Sequence, residues 1–157
     1  MTKTNPQHYI DNKKFFDAMV AYKESLREAE RLGLETPRAS EYIGDCIVRI
    51  ARKLSTSHKF INYSYREEMI SDGIENCMSY LDNFNPEKSE NPFAYFTQII
   101  YYAFLRRISQ EKKQLEIKNK ILEKTGFDEV FDSNDLDSDN YSDYNSIKDA
   151  VHTKLRY

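Results

Sequence analysis

The sequence predicts an all-α protein, a compact bundle of about four principal helices followed by an acidic C-terminal segment that we expect to be disordered. Four stretches place apolar residues at three- and four-residue spacing, the period of a helix with one buried face. The 157 residues include only four Gly and four Pro, too few for the many turns of a β fold. The expected organisation is an N-terminal tail at 1–11, a helical domain at 12–126, and an acidic tail at 127–157 with a short terminal helix.

The first predicted helix covers residues 12–32 and ends at Gly33, the residue type that most often follows a helix. Its apolar positions are Phe15, Met19, Tyr22, Leu26 and Ala29. The second helix is expected to start at Thr36 and Pro37, an N-cap followed by proline at the first helical position. Its apolar face consists of Ala39, Ile43, Cys46, Ile47, Ile50 and Leu54, and a polar linker follows at 55–62.

Ser64 and Glu67 fit a capping box, which predicts a third helix from Ser64 to Phe84. Its apolar positions are Met69, Ile70, Ile74, Cys77, Met78, Leu81 and Phe84. Asn91 and Pro92 repeat the N-cap and proline signal and start a fourth helix, expected to continue through residue 115 or further. Its inward stripe is predicted to be Phe96, Ile100, Ala103, Phe104 and Ile108.

The charge of the chain is unevenly distributed. The formal net charge is −3, which by itself disfavours nucleic-acid binding. Residues 98–126, however, have seven basic side chains and three acidic ones. Residues 127–150 have one basic side chain and eight acidic ones. Counterion release from so few clustered cations would give the free chain little affinity for DNA. The pattern favours a protein that meets nucleic acid as part of a larger, more basic assembly.

The residue types that catalyse reactions or bind metal ions do not form a recognisable motif in this sequence. His8, His58 and His152 lie in expected tails or linkers, and the sequence contains no glycine-rich phosphate loop, nucleophile motif or paired metal ligands. Cys46 and Cys77 fall on apolar helical positions, as small core residues do. No apolar run suits a membrane span or a signal peptide. We therefore expect a cytoplasmic protein that is not an enzyme and holds no metal or cofactor.

Two neighbouring segments have side chains suited to binding macromolecules. The third predicted helix has an acidic face and contains Gly73, whose missing side chain would let another helix approach closely. The fourth has three tyrosines and Gln98 before a pair of arginines, and aromatic rings beside cations bind unstacked bases and phosphates. Tyr101 and Tyr102 differ by about 100° around a helix, so at least one should be partly exposed. The alternatives are a solvated acidic face and tyrosines that fill a small core.

These segments, in this order, resemble the conserved second region of bacterial sigma factors, the RNA polymerase subunits that recognise and open promoters. The similar segments are the acidic-hydrophobic-glycine motif at 68–73, the helix end and Asn-Pro turn at 78–86, the phenylalanine-rich 92–97 and the basic 106–108. Within the family, the short length and residues 91–98 look most like the late-transcription sigma factors of T-even-type phages. Gln98 and Ile99 stand where the family typically has two tryptophans, and this chain has no Trp.

The resemblance implies that the third helix docks on the clamp coiled coil of the largest subunit of the host core RNA polymerase. The residues expected to make this contact are Glu68, Ile70, Asp72, Glu75, Asn76, Ser79 and Tyr80. The fourth helix would then capture flipped bases of an AT-rich promoter element, mainly on the melted non-template strand. The residues expected to bind this DNA are Tyr95, Thr97, Gln98, Tyr101, Tyr102, Arg106, Arg107, Lys112 and Lys113.

The phage factors further imply a co-activator and a DNA sliding clamp as partners, although residues 149–157 differ from the family's C-terminal clamp motif. The implied function is initiation of late-gene transcription in the host cytoplasm. Two alternatives stay open. One is a small single-domain bacterial-type alternative sigma factor, which would work without an activator. The other is a helical adaptor that binds only protein and makes no DNA contact, which the basic residues at 106–113 disfavour.

Overall fold

The structure, a computed structural model, describes residues 8–125. The elements in those residues, in chain order, are α1 (Asn12–Leu32), α2 (Glu41–Ser55), α3 (Arg66–Ser79), a 3₁₀ turn (Leu81–Asn83) and α4 (Pro92–Thr125). Residues 8–125 contain no strand, and the predicted all-α class is confirmed. The acidic tail and short terminal helix predicted at 127–157 lie outside the described residues.

The chain divides into two units, Met1–Arg107 and Ile108–Tyr157, and the boundary falls inside α4. The first unit contains α1, α2, α3, the 3₁₀ turn and the first half of α4. The described part of the second unit, residues 108–125, is helical throughout. The helical domain expected at 12–126 includes residues of both units. Within the described residues, no helix is both long and apolar enough to cross a membrane.

Helix α1 has the predicted bounds, and both of its ends are capped. The side chain of Asp11 accepts a hydrogen bond from the Lys14 amide at 3.2 Å. Gly33 follows the helix with a φ of 65°, a left-handed conformation that glycine adopts without strain. This conformation lets the amides of Gly33 and Leu34 donate hydrogen bonds to carbonyls of the last turn. Just before the helix, Ile10 is only 3% exposed. Part of the expected N-terminal tail therefore packs into the core.

Helix α2 starts later than its sequence signal predicted. Ser40, not Thr36, is the N-cap, because its side-chain oxygen accepts a hydrogen bond from the Ile43 amide at 3.4 Å. Thr36 and Pro37 precede the helix in irregular backbone. Thr36 and Ser40 are both possible cap residues and lie four positions apart. Ser40, which starts the helix, is the one adjacent to its buried face.

Helix α3 is shorter at both ends than predicted. It starts at Arg66, and no side-chain hydrogen bond caps it, so the predicted capping box at Ser64 and Glu67 is wrong. The Glu67 carboxylate instead lies 3.9 Å from the Arg52 guanidinium on α2. The helix ends at Ser79, and the 3₁₀ turn takes the place of the regular helix expected to reach Phe84.

The core of the first unit contains one face of each helix. Helix α2 packs against α1 and α3, and the Phe15 ring of α1 stacks on the Phe96 ring of α4 with centroids 5.5 Å apart. The four residues predicted for the inward stripe of α4 that belong to this unit, Phe96, Ile100, Ala103 and Phe104, are buried. The fifth, Ile108, belongs to the second unit and is 8% exposed. Met78 is the main exception to the predicted apolar faces, because it is 46% exposed at the end of α3.

Candidate nucleic-acid and protein interfaces

Helix α3 presents an acidic face to solvent. The residues that share this face, at four- and three-residue spacing, are Glu68, Asp72, Glu75 and Ser79. All are exposed except Asp72, which is half-buried. Tyr80, which follows the helix, is 48% exposed, and Asn76 is half-buried. Six of the seven residues predicted to bind the polymerase are therefore accessible to a partner at least in part.

The buried side of α3 contains two features that were expected to serve docking. Ile70 is 3% exposed, so it belongs to the core, and the prediction that it contacts the polymerase is corrected. Gly73 is also buried, and a Cβ placed there would lie 3.0 Å from Ile100 Cγ2 and 3.2 Å from Phe104 Cε1. The close approach that this glycine permits is thus made by α4 of the same chain.

An ion pair connects the acidic face of α3 to α4. Arg107 donates from Nε to Oδ2 of Asp72 at 2.6 Å and from Nη2 to Oδ1 at 2.8 Å. The two side chains are only 26% and 25% exposed. Two parallel charge-assisted hydrogen bonds are the strong form of such a pair. Arg107 was predicted to bind DNA, but its charge is matched by Asp72, so the structure gives it the role of holding two helices together.

Helix α4 has a row of exposed polar and aromatic side chains on its outer face. Gln98, Tyr102 and Arg106 follow one another at four-residue spacing and are all exposed. Tyr102 is 50% exposed, which confirms that one of the two adjacent tyrosines faces solvent. We call these three residues the α4 row. The ring of Tyr102 is open to a stacking partner, and a cation lies one turn further along the helix.

Two other residues predicted to bind DNA, Tyr95 and Thr97, are half-buried. The Tyr95 hydroxyl donates to the Tyr80 carbonyl at 3.1 Å, and its ring centroid lies 5.2 Å from that of Phe84 and 5.0 Å from that of Phe96. Burial raises the pKa of the Tyr95 hydroxyl. Thr97 Oγ1 is enclosed and has no hydrogen-bond partner among the described residues. The Tyr95 ring packs against Phe84 and Phe96, and Thr97 does not present its hydroxyl to a ligand.

Tyr101 is half-buried beside the linker that joins α2 to α3. Phe60 of this linker is 1% exposed, and its ring lies 5.7 Å from that of Tyr101 and 5.1 Å from that of Phe104. The neighbouring Lys59 donates a hydrogen bond from Nζ to the Tyr101 hydroxyl. Because residues 55–62 were predicted only as a polar linker, Lys59 was missed. The signal that could have indicated it is Phe60, a large apolar residue that a solvated linker does not need.

Lys112 and Lys113 lie in the second unit, on the part of α4 that follows residue 107. Both are exposed. They are solvated cations on a helix surface, and charge is the property that supports their predicted contact with DNA.

The described part of the chain also contains two cysteines and a groove. Cys46 and Cys77 are both buried, as predicted, and both are free thiols. Burial raises the pKa of the Cys77 thiol to about 12. Such thiols are unreactive. No three His, Cys, Asp or Glu residues between positions 8 and 125 are grouped to hold a metal ion. A groove of about 720 Å³ is lined mainly by α1 and by the segment that follows α3, and includes none of the predicted site residues.

The exposed surfaces of α3 and α4 within the first unit differ in chemistry. Helix α3 presents carboxylates, whereas α4 presents an amide, an aromatic ring and a cation. No family model matches the chain, and no curated protein matches it. The grounds for a function are therefore the side chains described above and the resemblance of the sequence to sigma factors.

Proposed function

We propose that the chain is a sigma-like transcription initiation factor, which binds host core RNA polymerase and recognises and melts an AT-rich promoter element of phage late genes. The observation that supports this most is the α4 row. An amide can pair with a base edge, an exposed ring can stack on an unpaired base, and a guanidinium can contact phosphate. Gln98, Tyr102 and Arg106 offer these three groups within about two helical turns.

Polymerase docking is assigned to the acidic face of α3, following the resemblance of residues 68–73 to sigma factors. Exposed carboxylates such as Glu68 and Glu75 suit contact with a basic partner surface, because complementary charge steers association and fixes orientation. Once the chain is docked, the polymerase supplies most of the affinity for duplex DNA. This division of labour fits a subunit with a net charge of −3.

Promoter opening then depends on capturing bases that leave the duplex. AT-rich elements contain flexible TA steps, which unstack at low cost, so a modest stacking platform suffices there. Tyr102 is the proposed platform, and Arg106 the proposed backbone contact on the non-template strand. By family resemblance, a phage co-activator and a DNA sliding clamp assist the complex. The C-terminal segment that would contact a clamp lies outside the described residues.

One observation favours the alternative of a helical adaptor that binds only protein. The ion pair between Asp72 and Arg107 removes one cation from the predicted DNA-binding set and uses it for the fold. Under this alternative, the α3 face would still bind a partner, and Tyr102 would be a protein contact. Both alternatives therefore predict that α3 docks on a partner protein, and only the sigma-like factor is predicted to contact DNA.

The deciding experiment adds the purified full chain to core RNA polymerase with a template that has an AT-rich phage late promoter. We expect promoter-specific transcripts that disappear with Tyr102→Ala. The matched control is Leu34→Ala, which removes a side chain that is 64% exposed elsewhere in the unit. Co-purification with polymerase but no promoter-specific transcript, with and without phage co-activator, would favour the adaptor. Full activity without any activator would favour the bacterial-type factor.

A further inference from the structure

Lys59 and Tyr101 form a polar pair beside the α4 row. Nζ of Lys59 donates a hydrogen bond to the Tyr101 hydroxyl and lies 4.7 Å from the centre of its ring. A hydroxyl that accepts a hydrogen bond keeps its own proton available for a further acceptor. The ammonium has three protons and uses one on the hydroxyl. The pair therefore presents N–H and O–H donors side by side with a net positive charge.

Packing holds this pair in place. The Phe60 ring is buried against Tyr101 and Phe104, so the backbone next to Lys59 is anchored on α4, although Lys59 and Tyr101 are 42 residues apart in the sequence. Lys59 is exposed, and Tyr101 is half-buried. A positioned ammonium loses less conformational freedom on binding a ligand than a lysine on a mobile loop. The arrangement is that of a preformed anion site.

We propose that Lys59 and Tyr101 bind a backbone phosphate of single-stranded nucleic acid and so place the attached base on the exposed ring of Tyr102. This inference rests on the proposed function and alters one part of it, because Tyr101 acts through its hydroxyl on phosphate and not through its ring on a base. Lysine and tyrosine are both common phosphate contacts.

The ligand class follows from what lies next to the pair. The ring centroids of Tyr101 and Tyr102 are 5.8 Å apart, so a nucleotide held at Tyr101 has its base within reach of Tyr102. Tyr102 is half exposed, and Arg106 one turn on adds a second cation. An acidic peptide would use the cations but not the open ring. A nucleotide uses both, which favours nucleic acid.

The test measures binding of fluorescent oligothymidylate to the full chain by anisotropy, starting at low salt, where phosphate contacts are strongest. Lys59→Gln should weaken binding about 3- to 10-fold and reduce the salt slope by about 0.7, the value for one phosphate contact on a single strand. Tyr101→Phe keeps the ring that packs on Phe60 and should weaken binding about 2- to 5-fold with an unchanged salt slope. Lys13→Gln on α1 makes the same charge change at another exposed site and serves as the control.

A second probe identifies the phosphate. With an uncharged methylphosphonate oligothymidylate, the wild-type chain and Lys59→Gln should bind equally, because the charge that Lys59 recognises is absent. Three results would overturn the inference: both variants bind like the wild type, the wild type shows no binding at low salt, or a glutamate-rich peptide competes as well as the oligonucleotide. None of them decides the proposed function, which is tested by Tyr102→Ala in the transcription assay with polymerase.

Discussion

Arg107 of α4 holds both carboxylate oxygens of Asp72 on α3, at 2.6 and 2.8 Å. Since each side chain is about three-quarters buried, removing Arg107 leaves the charge of Asp72 partly desolvated, and removing Asp72 takes two charge-assisted hydrogen bonds away from Arg107. A substitution at Asp72 therefore acts on the fold before it acts on any partner. Loss of polymerase binding in an Asp72 variant has to be compared with its loss of stability.

Asp72→Asn and Arg107→Gln should each lower the free energy of unfolding by about 1–3 kcal/mol, and the double variant should lose less than the sum. Urea unfolding followed by circular dichroism measures all three. The control is Asp45→Asn, which breaks an exposed pair with Arg49 at 2.8 Å and should cost less than about 0.5 kcal/mol. Strict additivity of the two single effects would show that the pair does not couple the helices.

Gly73→Ala and Gly44→Ala should change stability in opposite directions. A Cβ at position 73 would lie 3.0 Å from a methyl carbon of Ile100, so overpacking of about 1–3 kcal/mol outweighs the better helix propensity of alanine. Nothing lies within 4 Å of a Cβ at position 44, where alanine should stabilise α2 by about 0.5–1 kcal/mol. Thermal unfolding of the two variants checks this. Stabilisation by both would mean that α3 and α4 are not closely packed at Gly73.

Charge reversal on the acidic face of α3 should prevent docking without unfolding the chain. Glu68→Lys combined with Glu75→Lys removes two exposed carboxylates and should weaken co-purification with core polymerase about tenfold or more. Glu24→Lys on α1, also exposed, is the matched control and should have no such effect. Helical content by circular dichroism should be unchanged in all variants. Normal co-purification of the α3 double variant would move the docking surface elsewhere.

Tyr102→Ala should impair strand opening and leave the melting temperature unchanged, because its half-exposed ring contributes little to the core. Loss of one stacked base, about 1–3 kcal/mol, corresponds to a drop of about 5- to 160-fold in the equilibrium constant for opening. Permanganate reactivity of unpaired thymines measures opening. Tyr101→Ala should instead lower the melting temperature, since its ring packs on Phe60. If strand opening declines only in proportion to the loss of folded Tyr102→Ala protein, the role of this tyrosine is structural.

Regular features of the fold followed from sequence periodicity. The bounds of α1 and the inward stripe of α4 were predicted because their apolar residues repeat over several turns. The start of α2 was not, because both Thr36 and Ser40 can act as its cap, and which of them does so depends on how the helix is packed. The start of α3 was not, because no side-chain hydrogen bond caps that helix.

The candidate site was predictable only where it depends on local spacing. The exposure of Tyr102 follows from the angle between adjacent residues on a helix. The contacts that change the roles of Arg107 and Tyr101 join residues 35 and 42 positions apart. No helical period relates such residues, so the ion pair with Asp72 and the hydrogen bond from Lys59 emerge only from the tertiary structure.

The burial of Cys46 and Cys77 makes the folded chain a convenient subject for site-directed labelling. The sequence contains two cysteines and both are enclosed, so maleimide reagents would modify them only when the protein opens. A cysteine introduced at an exposed position outside the α4 row, such as Leu34, would then take up a dye selectively, with the native thiols left in place. The distance from that dye to a labelled strand would follow the DNA through each stage of the proposed initiation reaction.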